Sequence, residues 1–115
     1  EIAKLENAEI GSHGYSHSKL GLLNNHQQLF ELKKSKKMIE EIIGESVSGI
    51  SFPHGSHNTE TQRLLKICKY NYAMSSIKGI NNEDSDKYLL KRIEIINKDT
   101  IKSLKKKIAG YYDYY

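Results

Sequence analysis

Apolar positions along this chain recur in two rhythms that alternate. From about Gln27 to Ile43 the rhythm is helical: Leu32, Ser35, Ile39 and Ile42 follow at steps of three and four, flanked by Leu29, Met38 and Ile43. Lys36–Glu40 and Lys37–Glu41 can pair at i,i+4 on the wet side, and Gly44 ends the helix. Val47–Phe52 then reads as a strand closed by the Pro53–Gly55 turn. Thr59 and Gln62 form a capping-box pattern that opens a second helix to about Lys69. Tyr72–Ser75 and Leu90–Ile96 are further strands, separated by a polar, Asn/Asp-rich loop over Gly79–Asp86. Asp99 or Thr100 caps a last helix in which Ile101, Leu104 and Ile108 share a face, with Gly110 past its end. Upstream, Glu1–Leu5 reads as the last turn of a helix, with Asn7 at its C-terminal end. Ala8–Ser12 is a short strand broken by Gly11 and Gly14.

The order is strand, helix, strand, helix, strand, loop, strand, helix. Such alternation implies right-handed β-α-β units and a mainly parallel sheet, hence an α/β fold that is half of a barrel or a small open sheet. At 115 residues there is room for one domain with one core. A hydrophobic content of 37% with 28% charged residues is that of a globular chain rather than a disordered one. No apolar run approaches the roughly 20 residues needed to cross a bilayer.

Charge changes little. The formal net charge of +4 comes largely from Lys33, Lys34, Lys36 and Lys37 and from Lys102, Lys105, Lys106 and Lys107. Both clusters sit within amphipathic helical patterns, where a solvated face is the ordinary explanation. There is no aromatic-basic interleaving or zinc-finger spacing, so nucleic acid is not the expected partner. The single cysteine, Cys68, excludes an internal disulfide and falls on the apolar side of the second helix as a buried thiol. The terminal run Tyr111-Tyr112-Asp113-Tyr114-Tyr115 could stack on sugars but reads as a frayed or truncated tail.

Candidate chemistry lies in two short segments, each directly after a strand. His13 and His17 are four residues apart, and neutral imidazole is the commonest protein ligand for zinc and similar ions. Two histidines can reach one ion from a single turn or tight loop, here at the C-terminal end of a strand, where α/β folds build their sites. A catalytic zinc normally takes a third protein ligand, which must come from elsewhere. In Phe52-Pro53-His54-Gly55, Pro and Gly fix a turn that can aim backbone N–H groups at one point, as an oxyanion requires. Taken singly, the two segments are exposed loop histidines and an ordinary strand-ending turn; together they are far less common.

Glu9-Ile10-Gly11-Ser12-His13-Gly14-Tyr15-Ser16-His17 resembles the histidine motif H-[ST]-x-x-H of the polysaccharide deacetylase (NodB-homology) family, with its E-I-G lead. Phe30-Glu31 through Gly44 is similar to the helix that follows that motif, and Ser51–Gly55 to the family's R-x-P-x-G. Tyr72–Ser75 and Leu90–Ile93 are similar to later strands in the branch that carries F-x-x-P-x-G. The resemblance implies part of a deformed (β/α) barrel with mainly parallel strands, with residues 1–115 forming the C-terminal portion of a single catalytic domain. It implies a hydrolase that removes N-acetyl groups from an N-acetylglucosamine-containing polysaccharide with a divalent metal, most simply zinc. His13 and His17 are then metal ligands and the backbone N–H of His54 is the oxyanion donor. Ser51, Phe52, Pro53 and Gly55 line the substrate groove.

The chain departs from that pattern in several places. Gly14 stands at the usual Ser or Thr, and Ser51 where many members have Arg, with Arg92 as a possible substitute. The family's paired aspartates would lie upstream, and no Leu-x-x-His general acid follows. His57 is near enough to the turn to protonate a leaving amine, but an ordinary loop histidine is the expectation, and His26 is assigned no role. These gaps keep open a non-catalytic carbohydrate-binding module or inactive remnant of the same fold, using Tyr15 and Phe52, and an unrelated small α/β domain. A half-barrel also exposes strand edges and helix faces, so self-association or completion by a missing N-terminal half is expected. The resemblance points outside the cytoplasm or to the cell envelope.

Overall fold

The computed structural model describes residues 1–111. After a 3-10 turn at Ile2–Lys4 come a second one at Leu20–Leu22, helix α1 (Asn25–Ile43), strand β1 (Gly49–Ser51) and a third 3-10 turn at Pro53–Gly55. Helix α2 (Thr59–Ile67), strands β2 (Tyr72–Lys78) and β3 (Leu90–Arg92) and helix α3 (Ile101–Ile108) complete the order. The sheet runs β1-β2-β3 with both pairs parallel, Gly49 opposite Tyr72 and Met74 opposite Leu90.

Each helix begins where a side chain satisfies the orphan amides of its first turn. Asn24 and Gln27 form a reciprocal capping box on α1, and Gly44 closes that helix at φ 76°, a conformation glycine adopts without a Cβ penalty. The box on α2 is Asn58 with Thr61, one residue upstream of the Thr59–Gln62 pairing expected from sequence. Thr100 caps α3 through Ser103. Strand β1 ends where Pro53 offers no N–H to the ladder.

The core lies between the sheet and the first two helices, where Leu32, Ile50, Leu64, Leu65, Tyr70 and Ala73 are buried. Two buried tyrosines place their hydroxyls on backbone oxygens, Tyr70 on Leu32 at 2.8 Å and Tyr88 on Tyr70 at 2.9 Å, so neither polar tip is left unpaired.

Several expectations are corrected. Ala8–Ser12 is not a strand: pairing there reduces to one parallel bridge, Ser12 with Ile50, made by Ser12 N to Gly49 O and Ser51 N to Ser12 O. Gly11 lies against the Gly49 carbonyl, a close approach of two backbones and a poor place to propagate a strand. The fourth expected strand stops at Arg92, because the Glu94 carbonyl accepts from Lys107 Nζ at 2.7 Å instead of a neighbouring strand. Lys107 itself is no part of a solvated face: it is 1% exposed and paired with Asp99 at 2.6 Å. On α1, Ile42 remains 80% exposed in the last turn, while the buried face runs through Gln28, Glu31, Leu32 and Ser35. Of the terminal tyrosine run, Tyr111 is exposed and residues 112–115 lie outside the described residues.

Candidate functional site

Ser12 and Ser51 sit side by side at the carboxyl ends of parallel segments, and each chain leaves its bridge into one of the two motifs. The placement puts the His13–His17 loop and the Pro53–Gly55 turn next to each other, at the end of the sheet where α/β folds assemble their chemistry. The ring centroids of His13 and His17 are 4.9 Å apart, and those of His17 and His54 are 4.7 Å apart. Both His13 and His17 are solvent-exposed, as a ligand to an accessible ion must be.

His13 is oriented from behind. Its Nδ1 lies 2.7 Å from the Ser51 carbonyl. A carbonyl only accepts, so Nδ1 carries the proton and Nε2 keeps the lone pair that a metal would use. Thus the two motifs are coupled by a hydrogen bond between a histidine of one and the backbone of the other.

Backbone strain is concentrated here. His17 has φ 60° and His54 φ 56°, left-handed conformations that cost a non-glycine residue about 1–2 kcal/mol. Gly14 and Gly55 also lie in that region, at φ 80° and 65°. The His54 N–H finds no acceptor among the described residues, whereas its neighbours Gly55 and Ser56 donate to Phe52 and Pro53 carbonyls at 2.9 and 3.0 Å. It is therefore available to a ligand.

The loop between the histidines is anchored by residues that sequence reasoning passed over. Glu31, buried on α1, accepts from Tyr15 N at 3.2 Å, Ser16 N at 2.9 Å and Ser16 Oγ at 3.0 Å. Ser12 Oγ donates to Ser35 Oγ at 2.8 Å and accepts from Gly14 N at 3.2 Å. An acid on an amphipathic helix looks, in sequence, like part of its wet face. Only its phase with Gln28, Leu32 and Ser35 hints that it turns inward. With these contacts bracing the loop a hydroxyl at Gly14 is not needed. Its φ of 80° favours glycine, while a Cβ there would meet Pro53 Cγ and Glu31 Oε1 only at ordinary contact distances of 3.4 and 3.5 Å.

The other candidates separate. Phe52 is 1% exposed and packs in the core against the His57 ring, with centroids 5.2 Å apart, so its side chain supports the turn from beneath. Pro53 is buried next to Gly14, Gly55 packs tightly on Ser76, and Ser51 is half-buried. His57 is not an ordinary exposed loop histidine: its Nδ1 is buried without a hydrogen-bond partner among the described residues. Arg92 donates from Nε to Ser75 O at 2.8 Å, which commits it to the sheet. Tyr15 is exposed and meets Phe30 edge-on, centroids 5.4 Å apart. Among the described residues no group of three or more His, Cys, Asp or Glu is placed to hold a metal ion.

The polysaccharide deacetylase family matches residues 1–73, which contain both motifs. This chain belongs to the polysaccharide deacetylase family. A curated relative, the putative polysaccharide deacetylase YxkH of Bacillus subtilis (strain 168), is 29% identical over 86 residues, covering 75% of this chain and 31% of that protein. The Streptococcus pyogenes deacetylase PplD, solved in complex with acetate, superposes with a TM-score of 0.82 at 21% identity over 85% of this chain and 43% of its own. The Bacillus anthracis protein BA3943, a CE4 family pseudoenzyme, does so with a TM-score of 0.55 at 25% identity over 58% of this chain and 24% of its own. The chain thus spans about a third of the curated relative's length. Its fold is the α/β architecture of that family, part of a deformed barrel with parallel strands. No helix among the described residues is long and apolar enough to cross a membrane.

Proposed function

We infer that this chain is the C-terminal portion of a catalytic domain that hydrolyses N-acetyl groups from an N-acetylglucosamine-containing polysaccharide, acting outside the cytoplasm or at the cell envelope. The observation that carries the reading is the convergence of His13, His17 and His54 at the ends of adjacent parallel segments. The donor set fits a divalent ion such as zinc: two accessible imidazoles, one with its Nδ1–H already engaged. A third ligand and the general base would come from paired aspartates in a segment upstream. Bound there, the ion supplies Lewis acidity and a lowered pKa for water.

The chain's own residues do the rest. Ser51 O holds the His13 ring in one tautomer. The His54 N–H donates to the acetyl oxygen as negative charge gathers on it, a contribution worth about 3–4 kcal/mol for a typical oxyanion donor. Pro53 and Gly55 fix that N–H in place, and the Ser51–Gly55 turn borders the sugar.

A second reading, a binding module without hydrolysis, is favoured by Ser51 in place of Arg, and a pseudoenzyme on the same fold gives it precedent. Acetate release from N-acetylglucosamine oligomers by the native-length protein, with and without chelator, decides between them. Chelator-sensitive release is expected. Zinc and glycan binding without release would select the second reading.

A further inference from the structure

The geometry points to Glu31 as the positioning residue that sets metal affinity by holding the loop between His13 and His17. The inference rests on the metal-site reading above and adds to it a part that neither motif contains. A carboxylate is acceptor-only, with about four lone-pair directions over its two oxygens. Here Oε1 takes the amides of Tyr15 and Ser16 and Oε2 takes the Ser16 hydroxyl. Those donors are the two residues immediately before His17. Three hydrogen bonds to one buried group therefore fix the path by which the chain reaches the second histidine, including its left-handed φ of 60°.

Glu31 is itself packed into the fold. It lies 5% exposed on α1, in phase with two other buried polar residues that secure neighbouring pieces of the site. Gln28, one turn before, donates from Nε2 to Leu23 O and to Asn58 Oδ1, both at 3.2 Å, and accepts from Thr61 Oγ1, which ties down the start of α2 just after the Pro53–Gly55 turn. Ser35, one turn after, is bonded to Ser12 at the base of His13. One helix face thus holds both motifs in register, and Glu31 is the member that touches the histidine loop. Groups bonded directly to a metal ligand typically change metal affinity by about 10–100-fold when altered, and Glu31 acts on His17 one residue removed, through the backbone.

Two substitutions separate position from charge. Glu31→Gln keeps the length: its amide oxygen can still accept both backbone N–H groups. Its NH2 can donate to Ser16 Oγ, which already has Ser18 Oγ at 2.6 Å as an alternative acceptor. Glu31→Asp keeps the charge but is one methylene short. Zinc dissociation constants by chelator competition, and exchange rates of the Tyr15 and Ser16 amides without metal, should be measured on the native-length protein. A zinc affinity within about threefold of wild type for Glu31→Gln and weakened at least about tenfold for Glu31→Asp is expected, with amide exchange following the same order. Aspartate outperforming glutamine, or both variants matching wild type, would overturn the assignment. If His13→Ala binds zinc as wild type does, it is the metal-site reading that fails. The metal-free exchange rates still decide whether Glu31 holds the loop.

Discussion

Gly55→Ala tests the Pro-Gly turn most sharply, because the structure predicts both its cost and the partner responsible. At φ 65° an alanine incurs left-handed strain of about 1–2 kcal/mol. Its Cβ would stand 2.2 Å from Ser76 Oγ and 2.8 Å from Ser76 Cβ. The hydroxyl can rotate aside, but the Cβ belongs to strand β2 and moves only with the backbone. Overpacking of this kind costs about 1–3 kcal/mol, giving a total of about 2–5 kcal/mol. For a domain of this size that lowers Tm by roughly 8–25 °C. Ser76→Gly alone should cost about 0.5–1 kcal/mol for a glycine in a strand. Combined with Gly55→Ala it should remove the clash and leave only the strain, so the double variant is more stable than the sum of singles by about 1–3 kcal/mol. Urea and thermal unfolding of the four proteins complete the cycle. A Gly55→Ala protein within about 0.5 kcal/mol of wild type, or strict additivity with Ser76→Gly, would refute the packing argument.

Other consequences follow from the buried groups. The Ile96 N–H, the Lys107 ammonium and the Ser103 hydroxyl hold the Asp99 carboxyl well below its usual range, at about 2. Its contribution to stability is therefore complete above the unfolded value of about 4 and is lost as pH falls toward 2. Urea midpoints of wild type and Asp99→Asn should differ steadily above about pH 5 and converge on acidification, and a gap that widens would contradict the sign. Burial pushes the Cys68 thiol up, against the pull of Lys33 and Lys36. A thiol reagent should therefore react with it only as the protein unfolds, and rapid labelling of the folded protein would show the core wrongly placed. Leu32 is fully buried at the centre of α1, and Leu32→Ala should cost about 2–5 kcal/mol in urea unfolding.

The helices were the most legible part of this chain, since an amphipathic stripe closed by Gly44 leaves few alternatives. The Pro53–Gly55 turn was legible as well, because Pro and Gly are the residues such a turn demands. What escaped were features decided by tertiary contact. Ala8–Ser12 has strand-like residues, yet a ladder also needs a partner over its whole length, and beside Gly49 only Ser12 finds one. Glu31 and Lys107 carry charges that sequence assigns to water, and each is buried by partners outside its own helix, Tyr15 and Ser16 for one and Asp99 and Glu94 for the other. The resemblance places Phe52 in the substrate groove, but the strand's alternation sends its ring into the core.

Zinc binding tests the central claim most directly. Equilibrium titration of the native-length protein, its His13→Ala and His17→Ala variants and a His26→Ala control should show one ion retained by wild type and by the control. Each loop variant should bind at least about a hundredfold more weakly, a loss of about 2.7 kcal/mol. Undiminished binding in either loop variant would contradict the assignment of His13 and His17 as ligands.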